Sequence, residues 1–425
     1  DDIYVANFHS NQLWINQGDG TFMAGDHWFP NDVPHQWTAS AIAVDINGDG
    51  NLDLIDINYV GGEQVETLRC QIEGLPRSCP PLVFSQAPLV IWMGSPFGGF
   101  SHYQPESQAP LEYYGLGGVA FMAKPDDTLT VFLAVDQQAN GLLRFEPSEQ
   151  GQLRVDDVAL TSGIAFNQRG EAEACMGIAA GDLTGNGEID LFVTNFHQET
   201  NTLYMQEEGL FSDRTLSSGL SAPSREMLGF GTQMLDANLR GALDIVVLNG
   251  HIDDLTHTGV PEEMRPQLFV NRGDAQFSEL TAGKAGEFFD VPRLGRALAI
   301  ADVDNNGLVD LLCTDLESPF ALLLNRSPPR GNYLAVDLVG VQANRNGLLS
   351  TVTLTAESFS ASQQSLAGGG YMASNSRTLV FAVPLDIEQQ LTATVHWQNG
   401  GEEQYMGLSV NQSHTLVEGL GRPVR

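Results

Sequence analysis

Asp45-Ile-Asn47-Gly-Asp49-Gly-Asn51-Leu-Asp53, running on into Leu54-Ile55, is the stretch that decides how this chain is read. Its spacing returns as Asp182-Leu-Thr184-Gly-Asn186-Gly-Glu188-Ile-Asp190 before Leu191-Phe192-Val193, and as Asp302-Val-Asp304-Asn-Asn306-Gly-Leu308-Val-Asp310 before Leu311-Leu312. Oxygen-bearing side chains stand at the first, third, fifth and ninth places of each copy, with glycine at the sixth. Alternate side chains turned inward, with glycine at the sharp turn, are how a chain wraps a hard cation. Each copy is therefore read as a calcium loop, and the apolar run behind it as a departing strand.

The ligands follow from position. Asp45, Asn47, Asp49 and Asp53 would hold one ion with the Asn51 carbonyl. Asp182, Thr184, Asn186 and Asp190 would hold a second with the Glu188 carbonyl, and Asp302, Asp304, Asn306 and Asp310 a third with the Leu308 carbonyl. About three calcium ions are expected. The second loop offers the fewest carboxylates and should release its ion first. An EF-hand loop shares the first half of this pattern, but it ends on a bidentate Glu and leads into a helix. Here a strand follows. A turn capped by its own Asp and Asn side chains is the alternative for any single copy; three copies in register favour calcium.

A fourth copy is degenerate: Asp236-Ala-Asn238-Leu-Arg240-Gly-Ala-Leu-Asp244. Arg240 stands where an oxygen ligand belongs. Its guanidinium is expected to take the cation's place and bridge Asp236 and Asp244.

Aligned on their first Asp, the copies recur at intervals of roughly sixty residues, with a cryptic unit between the first two around Gly117–Val135 that has lost its ligands near Met122–Thr130. Each unit reads the same way. A strand of small residues enters the loop, as in Ser40-Ala-Ile-Ala-Val44 or Ala297-Leu-Ala-Ile-Ala301. An apolar strand leaves it. A further strand ends in an Asn-x-Gly turn, as in Leu13-Trp-Ile-Asn16-Gln-Gly18 and Leu268-Phe-Val-Asn271-Arg-Gly273. Short strands punctuated by glycine predict an all-β fold built from propeller blades.

The repeat resembles the FG-GAP/VCBS family, also found in integrin α heads; its Phe-Gly element persists as Gly229-Phe230-Gly231. That resemblance implies a calcium-binding β-propeller of six or seven blades over residues 1–327. After Asn325-Arg-Ser-Pro328-Pro329 the pattern changes. Gly370-Tyr371-Met372-Ala-Ser374-Asn375, Ala393-Thr-Val-His-Trp397 and Val410-Asn411-Gln412 are similar to the ASPIC/UnbV domain, which implies a small β-sandwich-like domain over 328–425. Two features depart from that family. Gln398 replaces the proline after the tryptophan, and Arg345-Asn-Gly347-Leu-Leu-Ser350 replaces a Gly-Ile-Gly-Ala element.

The chain of 425 residues carries 53 acidic against 20 basic residues, for a net charge of −33. That charge repels phosphate backbones, so nucleic acid is excluded as a partner. No apolar run is long enough to span a membrane as a helix. Asp1-Asp2-Ile3-Tyr4-Val5-Ala6-Asn7-Phe8-His9 reads like Asp190–His197 without the loop that precedes Asp190, so residues upstream of Asp1, with room for a secretion signal, are expected. Cys70 and Cys79 bracket a short Pro-containing loop and are expected to pair in an oxidising compartment, whereas Cys175 and Cys313 read as buried thiols whose pairing stays open.

Two further stretches could carry chemistry. His251, Asp253, Asp254 and His257 could hold zinc or copper, or form a solvated loop. His102, Tyr103, Tyr113 and Tyr114 lie in an aromatic insertion that could stack on carbohydrate, or pack over the propeller. No nucleophile elbow, P-loop or dinucleotide fingerprint occurs, so no enzyme class is nominated. The sequence predicts an extracellular, cell-surface or periplasmic module, stabilised by calcium, for protein or glycan contacts, including contacts with its own copies in a fibre or matrix. The alternatives are an enzyme or biosynthetic accessory protein using the propeller channel, and a calcium-dependent lectin.

Overall fold

The computed structural model describes residues 1–30, 36–72, 74–108, 110–124, 128–147, 152–281, 283–387 and 390–424. Residues 125–127, inside the cryptic unit, therefore lie outside the description. The protein is all-β. Six antiparallel sheets follow one another along the chain, each a meander whose innermost strand comes first where that strand is present.

The first sheet holds Ile3–Val5, Gln12–Asn16 and Phe22–Ala24. The second is built on Gln36–Val44, Asp53–Asn58, Val90–Gly94 and Phe100–Tyr103. Gly115–Ala123, Thr128–Gln138, Gly141–Pro147 and Leu153–Asp157 make the third, the cryptic unit. The fourth runs Ile178–Gly181, Asp190–Val193, Thr202–Glu207 and Leu210–Asp213. The fifth runs Gly229–Leu235, Asp244–Asn249, Gln267–Asn271 and Phe277–Glu279, and the sixth Gly295–Ala301, Asp310–Asp315 and Ala321–Leu323.

Alternation of side chains along a strand gives every blade two faces, and successive blades bury them against each other. Ile55, Ile57, Val131 and Leu133 join the second and third sheets. Phe132, Leu191, Val193 and Tyr204 join the third and fourth. Phe192, Ile245, Val247 and Phe269 join the fourth and fifth; Val246, Leu248, Leu298 and Cys313 join the fifth and sixth. The innermost strands of the second to sixth sheets pack in that order around a common axis. A register irregularity recurs near the start of four of them, at Thr38/Ser40, Gly115/Gly117, Gly229/Thr232 and Gly295/Leu298. Bulges of this kind bend a strand locally and increase its twist. The outer faces of the two end sheets keep Ile3, Trp14 and Leu322 exposed.

From Asn332 the chain forms a second unit. Asn332–Val339, Leu379–Val383 and Ser413–Val417 make one sheet, and Thr351–Ala356, Phe359–Gln364, Leu391–His396 and Glu402–Leu408 the main part of another. Leu334, Phe381, Val352, Val395 and Trp397 fill the space between them, the arrangement of a small sandwich.

This unit does not stand apart from the propeller. Its loop after Gln364 runs into the axis. Ala367–Gly368 pairs with Val119 and Ala120 on the innermost strand of the third sheet. Gly369 N donates to Gly118 O at 2.8 Å, and Ile178 N to Gly370 O at 3.0 Å. Three glycines in a row, all at positive φ, let the backbone come this close. Tyr371 then lies buried among Ala39, Leu116, Met176, Leu228 and Phe230, side chains from four different sheets or their leading turns. One end of the axis is thus closed by the chain's own tyrosine, and a cavity remains on the loop side between the innermost strands and the C-terminal segment.

Candidate metal centres on the loop face

All four loops share one backbone. The fourth and sixth places are left-handed in each: Gly48 and Gly50, Gly185 and Gly187, Leu239 and Gly241, Asn305 and Gly307. The first Asp turns its carboxylate back over the loop. Asp45 accepts from Gly48 N at 2.8 Å and Gly50 N at 2.9 Å, Asp182 from Gly185 N and Gly187 N at 2.7 Å, and Asp302 from Asn306 N at 3.0 Å and Gly307 N at 2.8 Å. The last Asp is buried and pins the hairpin at both sides. Asp53 accepts from Ile46 N and Gly94 N, Asp190 from Leu183 N and Gln206 N, and Asp310 from Val303 N and Asn325 N.

The donor set is oxygen throughout, which suits a hard divalent cation rather than a soft one. In the third loop the carboxylates of Asp302, Asp304 and Asp310 bring oxygens within 4.8 Å of one another, although Arg326 also reaches Asp304 at 2.7 Å. The first loop is less gathered. Asp49 accepts from Asn51 N at 2.8 Å and from the Asn47 amide at 3.0 Å, which keeps these side chains within their own turn. In the second, Asn186 accepts from Glu188 N, and the Glu188 carboxylate reaches away to Glu208 N and Gly209 N, leaving its carbonyl as the candidate ligand. Thr184 is held through its N–H on Asp182. Burial pushes the Asp53 and Asp190 carboxyls up to about 7, with the first-place carboxylates Asp45 and Asp182 adding to the rise. A cation beside them would reverse that cost.

The degenerate loop carries a cationic side chain of its own. Arg240 donates through both terminal nitrogens to the Asp244 carboxylate, to Asn238 Oδ1 at 3.1 Å, and to Asn271 O at 3.0 Å. Asp236 is not bridged by the guanidinium as expected; its carboxylate is occupied by the N–H groups of Arg240 and Gly241. A forked donor satisfies the planar carboxylate nearest to it, and the tight turn has already supplied partners for the other.

The sandwich unit sits on this same face. Gln398 donates to Asp45 O and accepts from Asn344 Nδ2 at 2.7 Å. Arg330 N donates to Asn238 O at 2.8 Å, and a side chain at Gly307 would run into the Tyr333 ring. Three of the four loops therefore touch the C-terminal unit or the segment leading to it.

The opposite face carries the remaining candidates. Cys70 and Cys79 are joined, with Cα atoms 5.2 Å apart, and Cys175 and Cys313 are buried free thiols. The disulfide hairpin extends from the second blade to the fifth, where Arg77 Nε meets Asp253 at 3.3 Å and Ser78 N donates to Asp253 at 2.9 Å. This contact breaks up the expected cluster around His251. Asp253 is engaged by the hairpin, Asp254 caps Thr256 at 2.6 Å, and His257 is exposed while His251 is buried. The aromatic insertion packs rather than forming a platform. Tyr113 and Tyr114 are buried, with their hydroxyls on Asp157 and Phe84 O, and the Tyr103 hydroxyl accepts from Leu153 N. Sequence reasoning missed Gln398, Tyr371 and His197, which lies against His251. Only the last had a local signal: His197 and His251 both fall seven places after the final Asp of their loops.

Residues 340–423 match the ASPIC and UnbV family, and residues 1–55 match the FG-GAP-like repeat family. The chain thus carries an FG-GAP-like repeat match at its start and an ASPIC and UnbV match in its C-terminal unit. Among characterised proteins it is similar to cartilage acidic protein 1. The Xenopus tropicalis form is 24% identical over 199 residues, covering 47% of this chain and 29% of the relative. The Mus musculus form is 27% identical over 206 residues, covering 47% and 30%. The matched part thus spans less than a third of either relative. The periplasmic gluconolactonase PpgL of Pseudomonas aeruginosa superposes at a TM-score of 0.36, with 10% identity, over 97% of this chain and 95% of that one. The exotype rhamnogalacturonan lyase YesX does so at 0.35, with 12% identity, over 96% and 68%. Superpositions this loose carry no argument about chemistry. Among the described residues no helix is long and apolar enough to cross a membrane.

Proposed function

We propose that this protein is an extracellular interaction module in which calcium ions in three blade loops stiffen the propeller and seat the C-terminal domain on it. The observation that carries this reading is the gathering of Asp302, Asp304 and Asp310 within 4.8 Å on the face where that domain docks. Three acids this close repel one another unless a cation lies between them. The disulfide suits an oxidising compartment. The likeness to cartilage acidic protein 1, an acidic protein by name, agrees with the charge of −33.

The binding surface is then the opposite face and the blade rims, where long inter-strand loops are free to meet a protein, a glycan or another copy. Tyr371 closes one end of the axis, and the axial cavity beyond it is lined mainly by small, apolar and amide side chains with Asp236 as its one acid, so no convergence of acids and histidines favours the enzyme reading. Light scattering and thermal unfolding, with calcium and with chelator, test the proposal. It expects a higher melting temperature with calcium, and calcium-dependent association with itself or an immobilised partner. Identical melting curves in both states would remove calcium from the account.

A further inference from the structure

Blades four and five carry a pair of histidines that the loop face does not explain. His197 and His251 occupy the same repeat position, seven residues after Asp190 and Asp244, so adjacent blades bring them side by side. Their ring centroids are 6.1 Å apart with planes at 71°. His251 is 2% exposed, its Nδ1 lies 2.8 Å from Asp253 O, and its Nε2 is buried with no hydrogen-bond partner. Nδ1 also lies 3.1 Å from Asp253 N, which donates to it in the other tautomer; in the tautomer whose Nδ1–H donates to the carbonyl, Nε2 presents a bare lone pair inside the protein. A main-chain carbonyl fixing one ring nitrogen while the other is free is how histidines are held for metals. Buried polar atoms in folded proteins are otherwise almost always paired.

We propose that His197 and His251 form a two-imidazole site for a borderline-soft divalent metal ion, of the Zn²⁺ or Cu²⁺ kind, on the face opposite the calcium loops. The 6.1 Å separation stands at the wide edge of what a shared ion spans. With metal–nitrogen bonds of about 2.0 Å, each ring centre stands roughly 3.2 Å from the ion, which puts two rings about 5 to 6 Å apart. Glu226, whose carboxylate is 3.9 Å from His197 Nε2 and mostly exposed, stands at the mouth beside His197, so the ion would rest on the two imidazoles with its remaining positions open to solvent. The wall is Phe196, whose ring meets His251 at 5.5 Å. The Arg77–Asp253 contact of the disulfide hairpin holds the carbonyl that orients His251. His9, at the same repeat position in the first blade, is exposed beside Glu66. Oxygen-only loops prefer calcium and nitrogen donors prefer zinc or copper, so the two kinds of site are chemically separate.

The test is calorimetric titration of the full chain with Zn²⁺ in saturating calcium, together with electron paramagnetic resonance of the Cu²⁺ form. One equivalent should bind, and the copper spectrum should show hyperfine splitting from two imidazole nitrogens. His197→Ala and His251→Ala should each abolish stoichiometric binding. Should His251→Ala fail to fold, His197→Ala, at the more exposed of the two positions, decides alone. Absence of a one-to-one site in the wild type, or full binding retained by His197→Ala, would overturn the proposal.

Discussion

Gln398 donates its side-chain N–H to the main-chain carbonyl of Asp45, a contact between residues 353 positions apart. The acceptor belongs to the first residue of the first Asp-rich loop, and the donor stands where the ASPIC/UnbV pattern has proline. The same side chain accepts from Asn344, so one glutamine ties the docked domain to itself and to the propeller. Replacing it with alanine leaves the Asn344 amide one acceptor short. Gln398→Ala should cost about 1 kcal/mol and lower the melting temperature by about 2 °C in calorimetry. A change no larger than error would make the contact idle.

Calcium should act unequally on the three loops. Each ion at a hundred times its dissociation constant adds about 2.7 kcal/mol to the folded state. Asp302→Ala should remove one equivalent from the calorimetric stoichiometry and lower the melting temperature in calcium more than in chelator. The second loop, with only Asp182 and Asp190 as carboxylates among its assigned side chains, should empty first as calcium is withdrawn. If Asp302→Ala and wild type melt apart by the same amount in chelator, the loss is one of turn structure.

Arg240→Asp should convert the degenerate loop into a calcium site. Calcium stoichiometry should rise by one. In chelator the variant should be less stable by about 3 kcal/mol, because Asp244 is left buried beside a new like charge. Stability restored by calcium, with one more equivalent bound, would confirm that the guanidinium stands in for an ion. An unchanged stoichiometry would refute it.

Glu173 supplies a pH dependence remote from the loops. Burial raises its carboxyl from 4.5 to about 7, even though it accepts from Asn167, Asn195 and Thr202. A folded value above the unfolded one means that its contribution is fully present below pH 4.5 and lost as pH rises to about 7. The full effect is on the order of 3 kcal/mol. Glu173→Gln should therefore leave stability near pH 4 almost unchanged and raise it at pH 8, flattening the profile between. Parallel profiles for the two proteins would place the titration elsewhere.

What was legible in the sequence was what is local. Ion-loop spacing, the glycine turns and the two-residue period of the strands all lie within a few residues, so the loop boundaries, the strand that follows each loop and the degeneracy at Arg240 could be read directly. The pairing of Cys70 with Cys79 was also a short-range matter. Gln398 on Asp45 and Tyr371 in the axis depend on how two folded units dock, and no periodicity encodes that. Tyr113 and Tyr114 misled because aromatic composition does not say which way a side chain faces. The cluster proposed around His251 failed for a similar reason. Its neighbours in sequence point apart, and its neighbour in space comes from the preceding blade.

Ala367 pairs with Ala120, so an inner strand of the third blade is completed by residues made long after it. A ribosome delivers the blades in order, yet their axis stays empty and that strand edge unpaired until the last fifth of the chain emerges. Contacts so distant in sequence form late. A product cut short anywhere before Leu366 would keep an open strand edge and a vacant apolar centre, the features that invite aggregation and proteolysis. The loop thereby acts as a seal of completeness: the propeller reaches its finished state only in a polypeptide translated past Tyr371.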